Sequence, residues 1–273
     1  MTKPIAFITG TSSGIGLAAS IELAKAGYHV IATMRDLQKK GHLLQQAKEA
    51  NVLENIEIHS LDVTKPEEVN AVAKWVWEKH GRLDLLVNNA GIAITGAAEE
   101  IPLIDWKKQL ETNFFGVVSV TQAFLPMLRQ QKRGLIVNIS SGAAFLGSSY
   151  TAPYTASKYA VEGFSESLRF ELSPFGIHVV LVEPGFYQTN ILQKKSRVSP
   201  SSPYAIDAQR VQSFVDRFAN HAKDPQIVAR KIVAIAKKKS PRMRYICGGD
   251  ARWLYFIKRF VPFRLIEWFF HKI

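Results

Sequence analysis

Pro4-Ile-Ala-Phe-Ile-Thr-Gly-Thr-Ser-Ser-Gly-Ile-Gly16 decides how this chain is read. Residues 4–9 are a short apolar run of the kind that forms a buried strand. Gly10-x-x-x-Gly14-x-Gly16 follows as a turn, and Leu17, Ala18, Ile21, Leu23 and Ala24 continue at helical spacing. A strand, a glycine-rich turn and a helix aim free backbone N–H groups and the positive end of a helix dipole at one point, where a phosphate binds. Gly10, Gly14 and Gly16 allow the tight turn and close approach of a pyrophosphate, and Thr11, Ser12, Ser13 and Ile15 complete it. The spacing is not Gly-x-Gly-x-x-Gly, and a Ser/Thr-capped helix entry is the plainer alternative.

Outward from this turn the chain alternates strand and helix. Residues 28–33, 56–61, 85–87, 135–139, 177–182 and 245–247 read as further strands. Helical patterns lie between them, so the fold class is α/β, one domain with a parallel, doubly wound sheet and helices on both faces. The end of the second strand is where an adenosine ribose is met. Thr33, Met34 and Arg35 stand there, and a guanidinium suits a 2′-phosphate. That favours NADP over NAD, although Asp36 is close enough to pass for the acidic residue of an NAD site. Asp62-Val63 ends the third strand, where the carboxylate can take an adenine amino group or cap the helix near Pro66. Asn88-Asn89-Ala90-Gly91 ends the fourth with small residues that let backbone lie against a flat ligand.

Tyr154-Thr-Ala-Ser-Lys158 follows Pro153, a residue suited to a helix start. Tyr154 and Lys158 are four apart and share a helix face. An ammonium beside a phenol favours the phenolate, which gives an acid/base near neutral pH. Ser141 lies just past a strand, where its hydroxyl can bind the same substrate oxygen. Asn113 falls inside a helix expected over 105–128, where Asn competes for backbone bonds and distorts the helix.

Together these motifs, in this order over about residues 4–190, resemble the short-chain dehydrogenase/reductase family. The resemblance rests on Thr9-Gly10-x-x-x-Gly14-Ile15-Gly16, Asn88-Asn89-Ala90-Gly91, Asn113, Ser141, Tyr154-x-x-x-Lys158 and Pro184-Gly185. It implies a Rossmann-type sheet of about seven strands and a nicotinamide cofactor. It implies Tyr154 as general acid/base, Lys158 on the nicotinamide ribose and lowering the Tyr154 pKa, and Ser141 on the substrate oxygen. Asn113 would position a water linking Lys158 to solvent, and Thr189 would hold the carboxamide after Pro184-Gly185. Residues 29–37 are similar to the branch with 17β-hydroxysteroid and retinol dehydrogenases, which implies a bulky apolar alcohol or carbonyl. A 3-oxoacyl-thioester reductase and a catalytically silent NADP-binding sensor or docking protein are the alternatives. The intact Ser141, Tyr154 and Lys158 argue against the sensor. The family also implies a homodimer or homotetramer on the 105–128 and 154–174 helices, where Trp106, Leu110, Phe114, Val117, Val161, Phe164 and Leu168 serve an interface or the core equally well.

Residues 186–221, with Pro200, Pro203 and many serines, read as an irregular substrate-covering loop of the 1–250 domain. Lone Cys247 excludes an internal disulfide and fits a reducing, cytoplasmic setting. The N-terminal apolar stretch is too short for a signal peptide, and the histidines lack metal-ligand spacing, so no metal site is expected. The chain carries a formal +12, but residues 230–273 hold twelve Lys and Arg against Asp250 and Glu267. That net +10 leaves the rest at +2, which argues against nucleic acid as a partner. The 251–273 tail mixes Trp253, Tyr255, Phe256, Phe260, Phe263, Trp268, Phe269 and Phe270 with Arg252, Lys258, Arg259, Arg264 and Lys272. Pro262 divides it into two short amphipathic helices, which pack on the protein itself, on a second subunit, or on a membrane surface.

Overall fold

The computed structural model describes residues 3–191, 198–219 and 221–270. Seven parallel strands form one sheet, ordered β3-β2-β1-β4-β5-β6-β7. They are β1 Ile5–Thr9, β2 His29–Met34, β3 Ile56–Ser60, β4 Leu85–Asn88, β5 Gly134–Ile139, β6 Ile177–Pro184 and β7 Arg244–Cys247. The helices are α1 Gly14–Lys25, α2 Gly41–Glu49, α3 Pro66–His80, α4 Leu103–Leu110, α5 Gly116–Gln131, α6 Ala152–Leu172, α7 Ala205–Ala219, α8 Gln226–Ala236, α9 Gly249–Phe260 and α10 Phe263–Phe270. This is the Rossmann-type, doubly wound sheet expected of the strand–helix alternation.

The central strands read as unbroken apolar runs because both sheet faces are covered. Ala6, Ile8, Val30 and Val87 pack toward α1 and α8. Phe7, Ile31, Leu86 and Ile136 pack toward α3 and α5. Phe7 and Phe124 are fully buried with ring centroids 4.6 Å apart. Each such side chain contributes about 1.5–3 kcal/mol by leaving water. Strand order reverses between β1 and β4, so a crevice opens at their C-terminal ends, the usual ligand position in this architecture.

Two expectations need correction. The helix expected over 105–128 is two helices joined by a wide π turn at Glu111–Phe115. Residues 186–221 are not an irregular loop throughout, because α7 occupies Ala205–Ala219; residues 192–197 lie outside the described residues. Val117, Val161 and Leu168 are buried within the protomer and serve its core. The large apolar side chains left exposed on these elements include Leu103, Ile104, Phe115 and Phe170, with Tyr159 less so.

The tail folds into α9 and α10 on either side of Pro262. One face of α9 docks: Ala251 is buried, and Tyr255 meets Phe145 edge-on at 5.2 Å. The other face is open, with Trp253 71%, Phe256 57% and Phe260 70% exposed. Phe263, Leu265 and Trp268 of α10 are also exposed, whereas Ile266 is buried. The side chains of Phe269 and Phe270, and Lys272, lie outside the described residues.

Candidate active site

Every candidate residue lies at the C-terminal ends of the strands. The glycine turn leaves β1 with Gly10 at φ 71° and Gly14 at φ 57°, left-handed values that favour glycine. Gly16 packs so closely on Gly10 O and Asn89 Nδ2 that a Cβ there would overlap both. Ser13 N-caps α1 without a side-chain hydrogen bond, so the first N–H groups of α1 are not capped by it. Thr11 is held by Thr33 O at 3.1 Å, Ile15 is buried, and Ser12 is partly exposed. Thr189 stands against Gly14, and Asn190 Nδ2 donates to Ser13 Oγ at 3.2 Å. A turn with close backbone packing and a helix N-terminus free of a capping side chain fits a pyrophosphate.

Arg35 is exposed just past β2. Asp36 accepts from Gln38 N–H at 3.0 Å, so that carboxylate oxygen is engaged in its own turn. Asp62 likewise accepts from Thr64 N–H and O–H through Oδ1, at 3.1 and 2.8 Å. Val63 is buried against Gly116, the first residue of α5. Thr9 Oγ1 accepts from the N–H groups of Asn89 and Ala90, both at 3.0 Å, which clamps the Asn88–Gly91 turn onto β1. The Asn88 side chain points away from the crevice and donates to Thr121 at 3.0 Å and Asn138 at 2.8 Å. Its Nδ2 is thereby engaged, while Oδ1 is buried without a hydrogen-bond partner among the described residues.

Asn113 sits in the π turn, and such turns often mark functional sites. Its Oδ1 accepts from Ile92 N–H at 2.8 Å, while its Nδ2 donates to Ile92 O at 3.0 Å and Ser157 Oγ at 3.1 Å. Ser141 follows β5, and its Oγ accepts from Ala143 N–H at 3.2 Å, which leaves its own proton to donate. The Tyr154 hydroxyl hydrogen-bonds with the Ser141 hydroxyl. Lys158 Nζ lies 5.7 Å from the Tyr154 ring centroid and donates to Ile139 O at 2.8 Å. Burial raises the Tyr154 pKa, and the Ser141 hydrogen bond lowers it in part. The net direction is upward, because desolvation of the phenol outweighs the Ser141 hydrogen bond. Burial also lowers the Lys158 ammonium to about 8, opposed by the nearby Glu162 carboxylate.

Behind Lys158 lies a buried charged network. Arg244 of β7 pairs with Glu162, Glu166 and Glu183, and Glu183 is wholly buried. Burial pushes the Glu183 carboxyl up to about 7, helped by Glu162 and opposed by Arg244. Pro184-Gly185 ends β6 against the first turn of α9, where Asp250 accepts from Phe186 N–H at 2.5 Å. Beside the start of α6 an open cleft of about 530 Å³ is lined by Gly96, Glu99, Tyr150, Ala152, Tyr204 and Asp207. Tyr150 takes φ 63° and donates to Asp207 of α7 at 2.6 Å, so α7 forms one wall of that cleft.

Thr9 and Asn89 stood in the quoted motifs without an assigned role, and Ser157 and Asp250 were missed from sequence. Ser157 lies within Tyr154-x-x-x-Lys158, but its partner Asn113 is 44 residues away and no spacing shows the pair.

Residues 4–199 match the family model for short chain dehydrogenase. An uncharacterized oxidoreductase of Bacillus subtilis is 38% identical over 98% of this chain and 97% of its own length. Retinol dehydrogenase 8 of Bos taurus is 37% identical over 87% of this chain and 79% of its own. A short-chain dehydrogenase structure from Streptomyces avermitilis superposes with TM-score 0.84 at 33% identity, covering 98% of this chain and 96% of that one. ElxO with NADP bound gives TM-score 0.79 at 30% identity, covering 93% and 99%. A Burkholderia phymatum member in complex with NAD gives 0.77 at 26%, covering 89% and 88%.

Proposed function

This chain belongs to the short-chain dehydrogenase family of oxidoreductases, and from that premise we propose that it interconverts an apolar ketone or aldehyde and the corresponding alcohol with NADP(H). The observation that carries this reading is the Tyr154 hydroxyl facing Ser141, with Lys158 one turn along α6, at the strand ends that also hold the glycine turn. Bound nicotinamide supplies or accepts the hydride at the substrate carbon. In the reducing direction Tyr154 O–H gives its proton to the substrate oxygen as charge develops there, and Ser141 O–H donates to the same oxygen. In the oxidising direction the alcohol proton returns to Tyr154. Lys158 and Asn113 act as positioning residues, Lys158 through Ile139 O and Asn113 through Ser157 and the Ile92 backbone. The test is consumption of NADPH and of NADH with a panel of ketones, aldehydes and acyl thioesters. Turnover of acyl-carrier thioesters alone would move the assignment to the 3-oxoacyl reductase. Tight cofactor binding with no turnover of any carbonyl would move it to the sensor.

The exposed Arg35 past β2 and the ElxO complex with NADP support NADP. Arg35→Asp is expected to lower kcat/KM for NADPH at least tenfold and to narrow or reverse the preference over NADH, because a carboxylate repels a 2′-phosphate and accepts from a 2′-OH. An unchanged ratio would assign phosphate selection elsewhere. An apolar substrate is supported by the likeness to retinol dehydrogenase 8. A homodimer or homotetramer is supported by the exposed Ile104, Phe115 and Phe170.

The open face of α9 and α10 favours a second role, adsorption to a membrane surface. No helix among the described residues is long and apolar enough to cross a membrane. Exposed Trp253, Phe256, Phe260 and Phe263 instead alternate with Arg252, Lys258, Arg259 and Arg264, the composition of an interfacial helix over anionic lipid. Phe256→Glu with Phe260→Glu is expected to abolish co-sedimentation with vesicles containing phosphatidylglycerol while a water-soluble carbonyl still turns over. Equal binding by the variant and the parent chain would remove this role.

A further inference from the structure

At the opposite end of the sheet from Tyr154, imidazoles gather around one carboxylate. His29 opens β2, Glu57 and His59 stand on β3 beside Ile31 and Thr33, and His80 closes α3. Alternate strand residues share a face, so His29, Glu57 and His59 all point to the side that α3 covers. Glu57 Oε2 lies 3.4 Å from His29 Nε2 and 3.9 Å from His80 Nε2. The other oxygen, Oε1, accepts from Lys79 Nζ at 2.7 Å and lies 3.2 Å from His59 Nε2. One ligand atom from each of His29, Glu57 and His80 lies within 4.8 Å of the others. A tetrahedral ion with bonds of about 2.0–2.1 Å holds its ligand atoms roughly 3.3 Å apart, so small side-chain movements close the set. His80 Nε2 is buried with no hydrogen-bond partner, an acceptor left open where the cluster converges.

We propose that His29, Glu57 and His80 bind one Zn²⁺, the histidines through Nε2 and Glu57 through Oε2, with the fourth position open to water. Two imidazoles and a carboxylate are a zinc donor set. Lys79 on Oε1 orients the ligating carboxylate, with His59 beside it, as outer partners do in metal sites. The three ligands come from β2, β3 and α3, so the ion staples edge strand β3 to its neighbours. The site is remote from the strand ends that carry Ser141 and Tyr154. Its effect is therefore on stability, which rises with free Zn²⁺ by mass action.

The test uses the full chain after EDTA treatment, titrated with Zn²⁺ against a chromogenic chelator, with thermal midpoints read alongside. One equivalent is expected, with a zinc-dependent rise in the midpoint. His29→Ala and His80→Ala should each weaken binding more than tenfold and remove that rise, whereas His42→Ala should change neither. His80→Gln, which keeps a polar side chain at the end of α3, should match His80→Ala. No uptake by the parent chain at micromolar Zn²⁺, or equal uptake by the folded His29 and His80 variants, would overturn the site.

Discussion

Tyr154→Phe is expected to lower turnover by on the order of 10²–10⁴-fold while leaving NADPH affinity near that of the parent chain. Among the described residues the phenol is the titratable group that faces Ser141, and removing its oxygen removes the proton that the substrate oxygen exchanges with it. The ring stays, so the packing around it survives. The glycine turn and the N-terminus of α1 are untouched, so the phosphate contacts they offer are too. The measurement is kcat with the best carbonyl beside cofactor binding by fluorescence. A variant that keeps a tenth or more of parental turnover would sink the acid/base assignment. Turnover and cofactor binding lost together would mean that the hydroxyl holds structure instead.

Arg244→Ala is expected to destabilise the fold by about 3–5 kcal/mol, because it strands Glu162 and Glu183 as buried carboxylates without their cation. At roughly 2–4 °C per kcal/mol for a chain of this size, the melting midpoint falls by about 6–20 °C. The defect depends on pH in a fixed direction. The folded-state pKa of Glu183 is already raised to about 7, above its unfolded value, and losing Arg244 raises it further. The native state then takes up a proton that the unfolded state gives up, so stability is lost as pH rises through this window and recovered as pH falls. The loss should be clearly smaller at pH 5.5 than at pH 8, and Glu183→Gln in the Arg244→Ala background should restore part of it at pH 8. A loss of the same size at both pH values would show that the guanidinium acts through packing alone.

The sheet was legible because each element signals locally: an apolar run, a turn residue, then a helical stripe. The glycine turn, Ser141 and Tyr154 were legible because each stands near an element boundary, and Lys158 because it keeps helical spacing from Tyr154. The distortion around Asn113 was anticipated because Asn is a poor fit to a helix interior, although its form as a π turn was not. What spacing did not show depends on contacts far apart in sequence. Arg244 meets Glu162 across 82 residues. The direction of the Tyr154 pKa shift depends on how deeply tertiary packing buries the phenol, which no spacing shows. Residues 186–221 were misjudged because Pro200, Pro203 and the serines before α7 masked the helix that follows them.

The π turn at Glu111–Phe115 also makes chain length a constraint in its own right. A wide turn holds about one residue more than a regular helix over the same rise. Removing that surplus, by deleting Thr112 for example, would close the stretch into regular helix while α4 keeps its seat on α6 and α5 keeps Val120 and Phe124 on the sheet. What would go is the turn that aims Asn113 at the Ile92 backbone and Ser157. A single-codon deletion here would therefore strike the site and spare the fold.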